Sequence, residues 1–279
     1  MCLLVIAWQA HPRYRLVVAA NRDEFHERPA APLSKWPEPE GILAGRDLRA
    51  QGTWLGLDAR QPSGQRGNPQ RGRRFGVITN FRELQRPRPE APSRGGLIPE
   101  YLRSPGSAAG FLQELEPRAS QYSGFNLLLT DADSLWYASN RADWPVRPLA
   151  PGVYGLSNEL LDTPWPKLRR VRRGFDSWLA RTPHGPANPA NGTAAALFEL
   201  LNDRSRAGAD EPLPQTGIAI EWEQVLSAPF VLHPDYGTRA STVLLLEPSG
   251  AGYFAERRFD AGGNLLGQSE FALQAGQWP

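Results

Sequence analysis

The chain has 279 residues, 41% of them hydrophobic, with nine Trp and eleven Phe, enough for a substantial buried core. Its 31 basic and 29 acidic residues leave a net charge of +2, which argues against a general nucleic-acid binder. A single cysteine excludes an intrachain disulfide framework and a Cys-rich zinc site. No run reaches the roughly 18 apolar residues of a membrane-spanning helix. The apolar stretch at 3–8 has neither the basic flank nor the cleavage pattern of a signal peptide. A soluble cytoplasmic protein is expected.

The lone cysteine is residue 2. Aminopeptidases that remove Met1 favour a small second residue such as Cys, and the processed chain would carry a thiol and a free α-amine on one residue. An α-amine titrates at about 7.7–8.0 and a thiol at about 8.5, so nucleophile and general base would share Cys2. The alternative is a small apolar residue opening a core strand, since Leu3 to Trp8 is a continuous apolar run.

Residues 3–8 and 14–20, joined by a turn at 9–13 that contains Pro12, read as a β-hairpin. Asn21-Arg22-Asp23-Glu24 follows the second strand. Strand alternation sends Asn21 and Asp23 one way and Arg22 and Glu24 the other. Antiparallel pairing brings all four close to Cys2. An Arg there favours a thiolate, and a carboxylate orients an α-ammonium group or accepts its proton; a structural ion-pair cluster is the alternative. Further strands are predicted at 52–58, 75–79, 125–130, 134–138, 153–156, 242–246 and 252–258.

Helices are predicted at 107–115, at 194–203, and from Thr163, read as an N-cap with Pro164 in the first helical position. Along that last helix Trp165, Leu168, Val171, Phe175, Trp178 and Leu179 form an apolar face. Lys167, Arg169, Arg170, Arg172 and Arg173 form the opposite one, which reads as a solvated basic face or an anion-facing patch. Pro/Gly-rich loops are expected at 61–74, 85–96 and 182–192. Strands at both ends with helices between suggest a single α+β domain over 1–279.

Two apolar strands end in asparagine, at Thr79-Asn80 and Ser157-Asn158. A side-chain amide suits a developing oxyanion; a turn residue is the alternative. Arg239, in Tyr236-Gly237-Thr238-Arg239, is a candidate for holding an anionic substrate group, or a surface ion pair. His11, His26, His184 and His233 show no metal-ligand spacing. Walker loop, dinucleotide fingerprint and serine elbow are all missing from the sequence.

Met1-Cys2 with its apolar strand, Asn21-Arg22-Asp23-Glu24, Thr53-Trp54-Leu55-Gly56, Val77-Ile78-Thr79-Asn80-Phe81-Arg82, Gly155-Leu156-Ser157-Asn158 and Tyr236-Gly237-Thr238-Arg239 together resemble the NRDE family. This is the transport and Golgi organisation family, and the match runs from residue 1 to about residue 260. The resemblance implies an N-terminal-nucleophile (Ntn) hydrolase-like fold, a four-layer αββα sandwich of two antiparallel sheets. It also implies links to haem trafficking and to acyl-CoA or lipid metabolism. More distantly, the chain is similar to cysteine amidases of the bile-salt hydrolase and penicillin V acylase type. Asn158 then resembles their oxyanion Asn and Arg239 their late active-site Arg. The order departs at residue 21, where those enzymes place an Arg.

Two functions follow. The first is an Ntn cysteine hydrolase of a small-molecule amide or related acyl bond, needing no cofactor. Cys2, Arg22, Asp23, Asn80, Asn158 and Arg239 would be catalytic, and Asn21, Glu24, Trp54 and Arg82 would bind substrate. The second is a carrier of haem or acyl-CoA in the same cleft, with Cys2 or a histidine on iron and the basic helix at 167–173 receiving phosphates.

Overall fold

In a computed structural model the described residues are 2–37, 41–59, 74–83, 90–131, 133–142, 147–183 and 192–275. Of the loops expected at 61–74, 85–96 and 182–192, residues 61–73, 85–89 and 184–191 lie outside them.

One sheet holds six strands, β1 (Cys2–Trp8), β2 (Leu16–Phe25), β10 (Gly152–Leu156), β11 (Tyr236–Leu246), β12 (Gly252–Phe259) and β13 (Leu265–Leu273). Their order is β10-β1-β2-β11-β12-β13, antiparallel throughout. The other sheet runs in chain order through β3 (Ala30–Lys35), β4 (Ile42–Asp47), β5 (Leu55–Asp58), β6 (Phe75–Asn80), β7 (Phe125–Thr130), β8 (Leu135–Ser139) and β9 (Arg147–Leu149). Five α-helices, α1 (Leu97–Arg103), α2 (Ala108–Leu115), α3 (Pro166–Arg181), α4 (Ala194–Leu201) and α5 (Ile220–Leu226), and two 3-10 helices at Arg94–Gly96 and Glu116–Gln121 complete the described elements.

Period-two alternation sorts the side chains into three apolar layers. Leu4, Ile6 and Trp8 of β1 join Leu16, Val18 and Ala20 of β2 between the sheets, against Leu57, Phe75, Val77 and Leu128. Leu3, Val5 and Ala7 face the other way, with Val17 and Ala19, and are covered by α3 and α4. The outer face of the second sheet, including Ile42, Ile78, Leu127 and Leu129, is covered by α1 and α2. The result is the expected α+β order, helix–sheet–sheet–helix. It explains the unbroken apolar run of β1, whose seven residues are all buried because both its faces are covered.

The Asn-Arg-Asp-Glu tetrapeptide lies inside β2 and does not follow it. Asn21 pairs with Leu3 and Ser241, and Arg22 with Cys2 and Ala240. Partners on both sides of Asn21 and Arg22, and the β11 ladder alone at Asp23 and Glu24, keep this polar stretch extended. The helix expected from Thr163 starts later, with Trp165 as N-cap and Pro166 in the first turn. Trp165 precedes a proline, which disfavours helical torsions, and it sits at φ −64, ψ 148. Thr163 Oγ1 instead donates to the Leu160 carbonyl at 2.8 Å. The helix expected at 107–115 is α2, with Ser107 as its N-cap accepting from the Gly110 amide. Strands β3, β4, β9 and β13 and helices α1 and α5 are additions to the predicted set.

Gly155 of β10 lets α3 approach closely: a Cβ there would come within 2.7 Å of a Leu168 methyl. Leu168 is therefore the contact that seats α3 on the first sheet. Leu168→Ala is expected to lower the unfolding free energy by about 2–5 kcal/mol in denaturant titration.

Candidate active site

Cys2 continues the row of Leu4, Ile6 and Trp8, so its thiol faces the gap between the sheets at the end of that row. There the gap opens into a cleft of about 440 Å³ whose lining includes Cys2, Arg22, Glu24, Trp54, Asn80 and Arg239. Register defines the floor. Cys2 lies opposite Arg22, Arg22 opposite Ala240, and Ala240 opposite Arg258, one straight row across four strands. All four residues line the cleft. Ala240 is the small residue of the row, between the two arginines Arg22 and Arg258.

Arg239 reaches the cleft by a different device. The β2–β11 register shifts between Thr238 and Ala240, leaving Arg239 as the extra residue of a bulge. Bulges re-aim side chains in this way. Its Nη1 donates to the carbonyls of Phe25 at 3.2 Å and His26 at 2.7 Å. Burial, aided by the charge of Arg22, lowers its affinity for its proton.

The second sheet supplies the facing wall through Gly45, Arg46 and Asp47 of β4 and Asn80 at the end of β6. Asp47 joins the two walls. Its Oδ2 is 2.6 Å from Arg28 Nε and 3.5 Å from Arg22 Nη2, while Glu24 Oε2 is 3.5 Å from that same Arg22 nitrogen. Burial alone would raise the Asp47 carboxyl, but the Arg28 hydrogen bond, the Ala50 amide and the charges of Arg28 and Arg22 hold it below the usual range. Seven arginines (Arg22, Arg28, Arg46, Arg49, Arg94, Arg239 and Arg258) line the cleft against four acids, Asp23, Glu24, Asp47 and Glu256. Arginine therefore outnumbers acid along the cleft lining.

The other residues singled out by sequence divide by face. Asn21 is fully buried beneath the sheet. Its Nδ2 donates to the carbonyls of Leu201 at 2.8 Å and Pro229 at 2.9 Å, and its Oδ1 accepts from Ser241 Oγ at 2.6 Å. This ties β2 to the end of α4 and leaves nothing of Asn21 for substrate. Asp23 shares that face; its Oδ1 accepts from Thr238 Oγ1 at 2.8 Å and its Oδ2 lies 3.7 Å from Lys167 Nζ. Arg82 does not line the cleft. Its guanidinium packs over Trp165 and donates to Glu223 at 2.6 Å, forming a buried ion pair.

Asn158, also buried, gives an Nδ2 hydrogen to the Asn80 carbonyl at 2.9 Å, and its own carbonyl accepts from the Arg82 amide at 2.7 Å. The adjacent Ser157 Oγ donates to the Cys2 carbonyl at 3.1 Å. Residues 157–158 therefore hold both the nucleophile's backbone and Asn80, and of the two asparagines only Asn80 lines the cleft. Burial pushes the Cys2 thiol up; Asp23 and Glu24 add to this and Arg22 opposes it. The basic face of α3 lies on the outer side of the first sheet, away from the cleft. Its arginines meet Asp162, Asp176, Asp203 and Glu211.

Sequence reading missed Glu256, because a lone acid in a polar strand end carries no pattern. Its Oε1 accepts from the Leu33 amide at 2.8 Å, joining β12 to β3 across the gap. Burial raises its carboxyl to about 7 against the Leu33 hydrogen bond and the charges of Arg258 and Arg22. A raised carboxyl binds more protons folded than unfolded, so stability falls as pH rises from about 4.5 to about 7. Glu256→Gln keeps the acceptor without the charge. It is expected to stabilise the protein above pH 7, by on the order of 3 kcal/mol, and to change little below pH 4.5. Thermal unfolding across that range checks it. Asn21→Ala strands two buried carbonyls and a hydroxyl and is expected to cost about 2–4 kcal/mol by denaturant unfolding.

Among the described residues no group of three or more His, Cys, Asp or Glu is placed to hold a metal ion, and no helix is long and apolar enough to cross a membrane. The sequence profile for "Transport and Golgi organisation 2" matches residues 1–261. The bovine "Transport and Golgi organization protein 2 homolog" is 32% identical over 277 residues, covering 92% of each chain. The mouse "Transport and Golgi organization 2 homolog" is 31% identical over 273 residues with the same coverage. The Drosophila melanogaster "Transport and Golgi organization protein 2" is 26% identical over 276 residues, covering 92% of this chain and 91% of its own. With the profile matching residues 1–261 and the bovine relative 32% identical over 92% of the chain, the chain belongs to the Transport and Golgi organisation 2 family.

Proposed function

We propose that the cleft is an acyl-transfer site of the Ntn kind, hydrolysing an amide or related acyl bond of an anionic small molecule in the cytoplasm. One observation carries this reading: Cys2 and Arg22 lie opposite each other in register on the floor of an arginine-lined cleft. With Met1 removed, the Cys2 thiolate attacks the acyl carbonyl. The α-amine takes the thiol proton and later returns it to the leaving group. Arg22 favours the thiolate, and Asn80 stands as the oxyanion donor, held by Asn158 through its carbonyl. Arg239 and Arg258 receive the anionic part of the substrate. Loss of Met1 also converts the present state, in which the thiol is raised by burial, into one with a base attached to the same residue.

A screen of acyl amides and thioesters with the processed protein tests the proposal. Cys2→Ala is expected to abolish turnover, and Arg22→Met to lower kcat/KM by about 10–100-fold. Intact mass showing Met1 fully retained in active protein would overturn the proposal.

A second reading, favoured by the seven arginines, is a carrier of anionic acyl compounds such as acyl-CoA in the same cleft. The relatives' printed names, which speak of transport, agree with it. Under this reading Cys2→Ala leaves ligand binding intact. Haem fits less well: no described histidine lines the cleft, and Cys2, the one soft ligand there, is only 6% exposed. The basic face of α3 drops out of the carrier reading because it lies away from the cleft and its Arg169, Arg170 and Arg172 already meet carboxylates.

A further inference from the structure

Lys167 stands out as a buried cation that the proposed chemistry does not use. It is the second residue of α3, its side chain is 1% exposed, and the nearest carboxylate is Asp23 at 3.7 Å. A lysine is almost never fully buried unless paired, so the pair is a specific requirement of this position. Nothing about α3 needs it: Leu168, Val171, Phe175 and Trp178 already seat the helix, and its other basic residues keep to the surface.

The surroundings explain its place. Cys2 pairs with Arg22, so the antiparallel register carries the amino end of Cys2 toward residue 23. The Asp23 carboxylate, fixed by Thr238 Oγ1 on one oxygen, is the side-chain charge that acts most strongly on Cys2. Lys167 lies on the other side of the same carboxylate. The remaining charged and titratable groups around the pair are Cys2, Arg82 after β6 with its partner Glu223 on α5, and Tyr236 of β11, with Arg22 and Glu24 of β2 on the opposite, cleft face. Tyr236 donates to the Asp23 carbonyl at 2.9 Å.

We propose that Lys167 is a positioning residue for Cys2, its buried ammonium balancing the Asp23 carboxylate so that the α-amine of residue 2 is oriented without being locked in its protonated form. This rests on the nucleophile reading of Cys2. In the step concerned the S–H bond of Cys2 breaks and an N–H bond forms on its amine; Lys167 neither gains nor loses a proton. Remove its charge, and the bare carboxylate holds the α-ammonium and opposes the thiolate. Remove the carboxylate instead, and the excess positive charge favours the thiolate.

The test is the pH dependence of Cys2 alkylation by iodoacetamide, on the full chain with Met1 loss verified by intact mass. Every adduct is assignable because Cys2 is the only thiol. Lys167→Met is expected to move the alkylation midpoint up by about one pH unit, which is about tenfold slower labelling near pH 7. Lys167→Arg is expected to restore the wild-type midpoint, and the Asp23→Asn, Lys167→Met double variant to return close to it. A purely structural role would lower the melting temperature and leave the midpoint in place, and that result overturns the inference. Should Lys167→Met fail to fold, Asp23→Asn alone decides: its midpoint must fall, and an unchanged or raised one overturns the inference. A processed wild-type protein whose Cys2 takes no label overturns the nucleophile reading and this inference together. A labelled wild type with an unmoved Lys167→Met midpoint overturns the positioning role alone.

Discussion

Everything at the site depends on β2 being hydrogen-bonded on both sides. A strand carrying Asn-Arg-Asp-Glu has little reason to stay extended by itself. It has no alternative here, because residues 16–22 are held between β1 and β11 and residues 23–25 continue on the β11 ladder. From that constraint come the opposition of Cys2 and Arg22, the burial of Asn21 and Asp23 on the helix side, and the exposure of Arg22 and Glu24 to the cleft. One register sorts four polar residues into two jobs. A slip by one residue would exchange them.

On the helix side the polar residues act as fasteners. Asn21 meets α4, Asp23 meets α3 through Lys167, and Arg82 meets α5 through Glu223. Breaking a buried pair by removing one partner is costly, so each fastener holds its helix in one place relative to β1. On the cleft side charge is left in excess, with arginines outnumbering acids. The same strand thus separates a neutralised interior from an electropositive cavity. Glu256 and Asp47 bind across the gap between the sheets and keep the cavity's two walls at a constant spacing.

Much of the fold was legible where strands are covered on both faces or alternate cleanly. β1, the apolar half of β2, β6, β7 and the ends of β11 and β12 announce themselves by apolar runs. The missed strands share a cause. β3, β9 and β13 are sheet edges, carrying Pro32, Pro148 or an exposed alternating pattern, features that discourage further pairing and also erase the strand signal. β4 is an inner strand, but its last residues Gly45, Arg46 and Asp47 serve the cleft rather than a core. Helix α1 was hidden by its shortness and by Pro99.

By itself the sequence determined the hairpin that brings residues 21–24 to Cys2, the alternation of those four side chains, and family membership through motifs spread along the chain. These follow from local periodicity and chain direction, which need no distant partner. Only the tertiary structure decided which asparagine reaches the cleft, that Arg82 is spent on Glu223, that Arg239 enters through a bulge, and that Lys167 leaves the basic face of its helix to meet Asp23. Each of those outcomes depends on a residue more than 50 positions away in the chain. A side chain's partner across such a distance is set by packing, and packing leaves no trace in local pattern.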